Sequence, residues 1–171
     1  METAKYLFRF VSILVLLASL LSASGASAKT GTPVSGTQTT LFALTFDRIW
    51  TAGPWTQLRG YGGTGEFAFV GDGTSLSGAV TRMDNTKTDA DGTGRLHGYI
   101  TYVDENTGVI CQGPTNGTLT NWALTASVNA HCSDGSTLHG NTQDTGVVFD
   151  GQGNVIGLTT SFSGTLFTPG R

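Results

Sequence analysis

Hydrophobic and polar residues alternate along much of this chain, most plainly over residues 120–132. Even positions there read Thr, Trp, Leu, Ala, Val, Ala and Cys, while odd positions read Asn121, Ala123, Thr125, Ser127, Asn129 and His131. A period of two means a strand with one dry face and one wet face. Other stretches repeat the pattern. Residues 40–50 place Phe42, Leu44, Phe46 and Trp50 on one face. Phe67 and Phe69, with Ala68 and Val70 between them, read as a strand buried on both sides or at a sheet corner. Leu76 and Val80 continue the series, followed by Leu96, Ile100 and Tyr102. In the last strand Ile156, Leu158, Phe162 and Leu166 face one way, and Thr159, Ser161, Ser163 and Thr165 the other.

Turn signals separate these runs: Gly-Asp-Gly at 71–73, Asp-Gly at 91–92, Ser-Asp-Gly at 133–135 and Gly-Gln-Gly at 151–153. Each is a hairpin signature. No stretch beyond residue 28 has helical periodicity. The expected fold is all-β, an antiparallel meander of about eight to ten strands forming a sandwich or flattened barrel. The phrase Gly73-Thr-Ser-Leu-Ser-Gly returns as Gly94-Arg-Leu-His-Gly and Gly135-Ser-Thr-Leu-His-Gly. Its uneven spacing makes it an echo between hairpins, not a solenoid or propeller repeat.

The first 28 residues interrupt this picture. Lys5 and Arg9 supply positive charge, residues 10–21 form a short apolar core, and Ala26-Ser27-Ala28 is a small-residue cleavage site. The run is shorter than the roughly 20 residues of a spanning helix, so residues 1–28 read as a cleaved secretory signal. Removing 28 of 171 residues leaves 143, enough for one cored domain. Residues 29–39, rich in Thr, Gly and Ser, read as a flexible entry segment. Residues 40–168 read as a single all-β domain. The expected location is secreted, extracellular.

With residues 1–28 gone, seven basic residues face eleven acidic ones, a net charge near −4. A weakly acidic chain without a Lys/Arg cluster points to neither nucleic acid nor an anionic membrane as partner. Two cysteines in an exported chain suggest one disulfide, Cys111–Cys132. If the chain turned between 112 and 118, the two would lie far apart in the hairpin, whereas a bridge needs Cα atoms within about 7 Å. Either the connection over 113–121 swings the chain round, or the thiols are free. The bridge is the expectation.

Candidate chemistry is sparse. Residues 60–65 match G-x-G-x-x-G, but Glu66-Phe-Ala-Phe-Val follows as a strand where a dinucleotide site needs a helix. Asp84, Asp89 and Asp91 cluster like calcium ligands, yet the EF-hand frame fails and turn-building explains them. A Ser133-Asp134-Gly135 loop would pair residue 131 with 137 and 129 with 139, setting His131 and His139 diagonally on the outer face. That pair is the candidate metal site, with solvated surface histidines the plainer reading. His97 holds the same place in its phrase as His139.

No nucleophile elbow, zincin motif or carboxylate pair suggests catalysis. The candidate ligand site is Trp50, Trp55, Arg59 and Tyr61, aromatics and an arginine on a Gly/Pro-interrupted connection. The expected function is a secreted, non-catalytic β domain that binds an extracellular ligand, a glycan or small molecule, and needs no cofactor. A barrel carrying a small apolar ligand is the alternative, and an extracellular hydrolase the third.

Overall fold

A computed structural model describes residues 29–42 and 47–170. The expected secretory signal, residues 1–28, and the expected inward positions Leu44 and Phe46 lie outside the described residues. Nine strands follow one another: β1 (Thr30–Phe42), β2 (Arg48–Ala52), β3 (Trp55–Gly71), β4 (Thr74–Thr88), β5 (Gly94–Asp104), β6 (Ile110–Thr120), β7 (Ala123–Cys132), β8 (Thr137–Phe149) and β9 (Val155–Thr168). All pairings are antiparallel, and from β3 to β9 each strand pairs with the next in sequence. β1 closes the ring by pairing with both β9 and β3, which makes an eight-stranded barrel. β2 lies outside it on the N-terminal part of β3. Of sandwich and barrel, the chain forms the barrel.

Closure changes the reading of the entry segment. Residues 30–39, expected to be flexible, are strand, bonded to β9 throughout and from Val34 on to β3 as well. Glycines let β1 approach β3 closely. A Cβ on Gly36 would collide with the Ala68 carbonyl, and one on Gly65 with the Thr39 carbonyl.

One end of the barrel is packed solid. Phe69 stacks on Phe162 at 4.3 Å between ring centroids, and Phe67 and Tyr102 meet edge to face at 4.9 Å. Val34, Val80, Ile100, Val128, Ala130 and Leu138 fill the space around them. Phe67 and Phe69 point inward, whereas Val70 is 60% exposed. This strand is therefore buried on one side, not both, because the sheet curves into a barrel with solvent outside.

The β7–β8 hairpin forms in the expected register, His131 opposite Thr137 and Asn129 opposite His139, with Ala130, Cys132 and Leu138 buried. The β6–β7 hairpin differs from expectation. β6 runs on to Thr120, and the turn is Asn121-Trp122, both with positive φ. Trp122 is a 59% exposed turn residue, not part of the dry face. Moving the turn to 121–122 sets Cys111 directly opposite Cys132, and the disulfide forms with Cα atoms 3.9 Å apart. No swing of the chain is needed. Among the described residues no helix is long and apolar enough to cross a membrane.

The bridge closes a loop with a sequence separation of 21. Loop-closure entropy then gives a contribution of about 3 kcal/mol. Replacing both cysteines by alanine should lower the unfolding free energy by about that amount in urea denaturation, while the far-UV circular dichroism stays that of β-sheet.

Candidate functional site: the open end of the barrel

Along β4 the inward positions read Val80, Arg82, Asp84, Thr86 and Thr88, so the interior changes character from one end to the other. Past the aromatic packing lies a polar layer. Arg82 Nε donates to Asp84 Oδ2 at 2.6 Å, with both side chains almost wholly buried. Tyr102 donates its hydroxyl to Gln38 Oε1 at 2.8 Å, and the Leu124 amide donates to Asp144 Oδ2 at 2.8 Å. Asp84 fits because β5 carries Gly98 opposite it. A Cβ there would collide with Asp84 Oδ1, beside the Thr115 hydroxyl.

Burial pushes the Asp84 carboxyl above the ordinary carboxylate range, against the opposing pull of the Arg82 charge. Asp144 shifts the same way, again chiefly through burial. Burial also raises the Tyr61 phenol, helped by the Asp84 charge and opposed by Arg82. Four buried atoms of this layer have no hydrogen-bond partner among the described residues, namely Gln38 Nε2, the hydroxyls of Thr40 and Thr160, and one Asp144 oxygen, while the Thr115 hydroxyl bonds the Asp84 carboxyl.

Beyond this layer the barrel opens. A cavity of about 380 Å³ is lined mainly by Phe42, Leu58, Tyr61, Leu119, Trp122 and Leu158. Two strand irregularities shape it. The β3–β4 register shifts between Leu58 and Tyr61, at Gly60 with φ +65°, which lets both residues face inward despite their odd spacing. A second shift, between Asp144 and Gly146, turns Val147 into the same mouth.

Of the four residues proposed as a ligand site, Tyr61 parts from the other three. Tyr61 points into the mouth, 4.7 Å from the Phe42 ring. Trp50 does not share a face with Phe42. It lies on the outer surface with Arg48 and Arg59, whose guanidinium carbons are 5.3 and 5.4 Å from its ring centroid. Trp55 is also outside, with Lys87 Nζ 5.1 Å from its ring centroid. The bulge at Gly60 is what divides them.

His131 and His139 are exposed and diagonal as expected, with His139 edge-on to Phe167 at 5.6 Å. Among the described residues no group of three His, Cys, Asp or Glu gathers to hold a metal ion. Asp84, taken as a turn residue, is inside the barrel. Asp89 does build the turn, accepting from the amides of Asp91 and Thr93. Residues 60–65 lie within β3, as the following strand implied.

The polar layer itself was missed. The signal was present, since Arg82 and Asp84 keep the inward parity of Val80. Comparisons with family models, curated proteins and solved structures find no match to this chain.

Removing Arg82 alone would leave Asp84 buried without its cation, which costs about 3–5 kcal/mol. Arg82→Met should show that loss in urea denaturation at pH 8. The sign with pH follows from the raised Asp84 value. The folded state holds this proton more tightly than the unfolded chain, so the variant loses stability as pH rises above the ordinary value of 3.8 and through the elevated one. At pH 4 the deficit should shrink. The double variant Arg82→Met/Asp84→Leu should recover wild-type stability or exceed it.

Proposed function

We propose that this chain is an exported, non-catalytic carrier of a small, largely apolar molecule with one polar end, seated in the open mouth of the barrel. The observation that carries this reading is the order of the interior: an apolar cavity of about 380 Å³ over a polar layer with unpartnered atoms. That volume lies within the range of about 300–1,000 Å³ typical of small-molecule sites. Each buried polar group left unpaired costs about 1–3 kcal/mol. A layer that retains four of them is suited to receiving polar atoms from a guest. The side chains of the mouth supply the apolar contact, and Tyr61 stands between the cavity and the Arg82–Asp84 pair.

Export rests on the character of residues 1–28, and a disulfide is compatible with an extracellular protein. A catalytic role for the same site is the second reading. It is favoured by the Asp84 carboxyl, which burial shifts toward its protonated form next to the cavity.

Native mass spectrometry of the protein recovered from culture medium tests the carrier. The expected result is a native mass above the denatured one by a discrete small molecule. The denatured mass should match cleavage after Ala28 and be two hydrogens short of the dithiol form. Leu158→Trp, which fills the mouth, should reduce the bound fraction at least about tenfold, the loss of roughly one large apolar contact. Equal native and denatured masses, together with no uptake of an apolar fluorescent probe, would overturn the carrier. Release of a chemically altered guest, abolished by Asp84→Asn, would favour the enzyme.

A further inference from the structure

We infer a second binding surface, on the outside of the barrel, that takes an acidic polysaccharide. It uses residues on the opposite face of the sheet from the mouth, so it stands or falls independently of the carrier reading. Although the chain is acidic overall, four of its cations gather here. Arg48 lies opposite Arg59 across β2 and β3, and Lys87 lies opposite Arg95 across β4 and β5. Gln57 joins the two pairs, opposite Trp50 on one side and Lys87 on the other. All four cations are exposed.

Like charges directly across a strand pair repel, and none of the four is in an ion pair with a described residue. Among the described residues the one ion pair is Arg82–Asp84, inside the barrel. The acidic residues at the rim are otherwise placed. Asp47 packs against Gly60, and Asp89 is occupied by the amides of the β4–β5 turn, which also holds Asp91. Four exposed cations, outnumbering the three carboxylates at the rim, are complementary to an anion.

Shape narrows the class of anion. Two hollows, of about 230 and 590 Å³, share Lys87 and Arg95, so they form one shallow groove across β2 to β6. Four interstrand spacings of about 4.8 Å make it on the order of 20 Å long. A single small anion would fill little of that length, whereas a linear polymer with repeated charges can follow it.

The aromatic rings add a second element. Trp50 holds two guanidinium groups over its ring, and Trp55 projects 38% exposed beside Lys87. Guanidinium forks suit carboxylate and sulfate groups, and an indole face suits the CH face of a sugar ring. The dense charge of a nucleic acid would meet net repulsion from the rest of an acidic molecule. A glycan with one carboxylate per sugar ring carries its charges farther apart than duplex DNA, which has one per about 1.7 Å.

The test is binding of the secreted protein to fluorescently labelled heparin and to polygalacturonate, one sulfated and one carboxylated. Neutral dextran, a single-stranded DNA oligonucleotide and phosphatidylserine vesicles serve as comparisons. The expected result is salt-sensitive binding to at least one acidic polysaccharide and none to dextran. Arg48→Ala/Arg59→Ala and Lys87→Ala/Arg95→Ala should each weaken it about tenfold or more, as the loss of two charge-assisted contacts implies. Lys29→Ala should leave it unchanged. Thermal unfolding checks that each variant is folded. Should an alanine pair unfold, Arg48→Gln/Arg59→Gln and Lys87→Gln/Arg95→Gln replace it. No binding to either polymer at low salt would overturn the inference. So would wild-type affinity in both pairs of variants, or tighter binding to the oligonucleotide or the vesicles.

Discussion

The structure depends on β1 being bonded along both edges. From Thr30 to Leu41 it pairs with β9, and from Val34 to Phe42 with β3. An open sheet of this length would present two unpaired edges, each a template for association with other chains. Closing the ring removes both, and it creates an inside. That step requires the backbones of β1 and β3 to cross closely, which is why glycine stands at 36 and 65, where a Cβ would strike the neighbouring carbonyl. With β1 in place, each of the eight barrel strands has one face toward a narrow interior and one toward solvent.

A narrow interior cannot be both uniformly apolar and open, and this one is divided along its axis. Aromatic rings fill one end. The middle holds a buried ion pair and several hydroxyls, an arrangement that replacement by hydrophobic residues would often match or improve in stability. Its retention is therefore better explained by what it contacts than by what it stabilises. The other end is widened by a bulge on β3 and another on β8, which reverse the side-chain alternation and bring Leu58 and Val147 into the mouth. Bulges of this kind locally weaken strand pairing. Here they sit where the barrel opens, away from the packed end that the disulfide ties.

Most strands were legible because their inward residues are apolar where the aromatic end needs them to be. The alternation from Leu124 to Cys132 and the 131–137 register both follow from that. β1 was not legible, because its inward face reads Val34, Gly36, Gln38 and Thr40. Two of these face the polar layer and one is a glycine demanded by close approach, so a hydrophobic period has nothing to register. The Asn121-Trp122 turn was hidden for a related reason. Trp122 extends the apolar parity of β7 in sequence, while in space it folds over the mouth and packs where a Cβ on Gly92 would stand. Of the proposed ligand residues only Tyr61 reached the cavity. Sequence proximity placed Trp50, Trp55 and Arg59 with it, and the positive φ at Gly60 separated them.

The same alternation that hides Arg82 and Asp84 inside sets Lys87 outside. β4 carries Asp84 on its inner face and, three residues later, a cation of the outer groove. β3 does the same with Tyr61 and Arg59, through its bulge. One pair of strands therefore serves two surfaces of opposite character, a low-dielectric interior where a charge must be paired and a solvated exterior where it need not be. The distribution of the cations follows from that difference in medium. Arg82, the buried one, stands beside a carboxylate, while Arg48, Arg59 and Lys87 lie over indole rings and Arg95 is exposed to solvent. Solvation tolerates that row without neutralising it, so its field remains available to a partner. Apart from the bulge between Leu58 and Tyr61, the strand ladders from β3 to β6 run unbroken, so the two faces share no hinge. Guests inside and outside should accordingly bind without coupling, since a coupling needs an element with two arrangements that both sites bias.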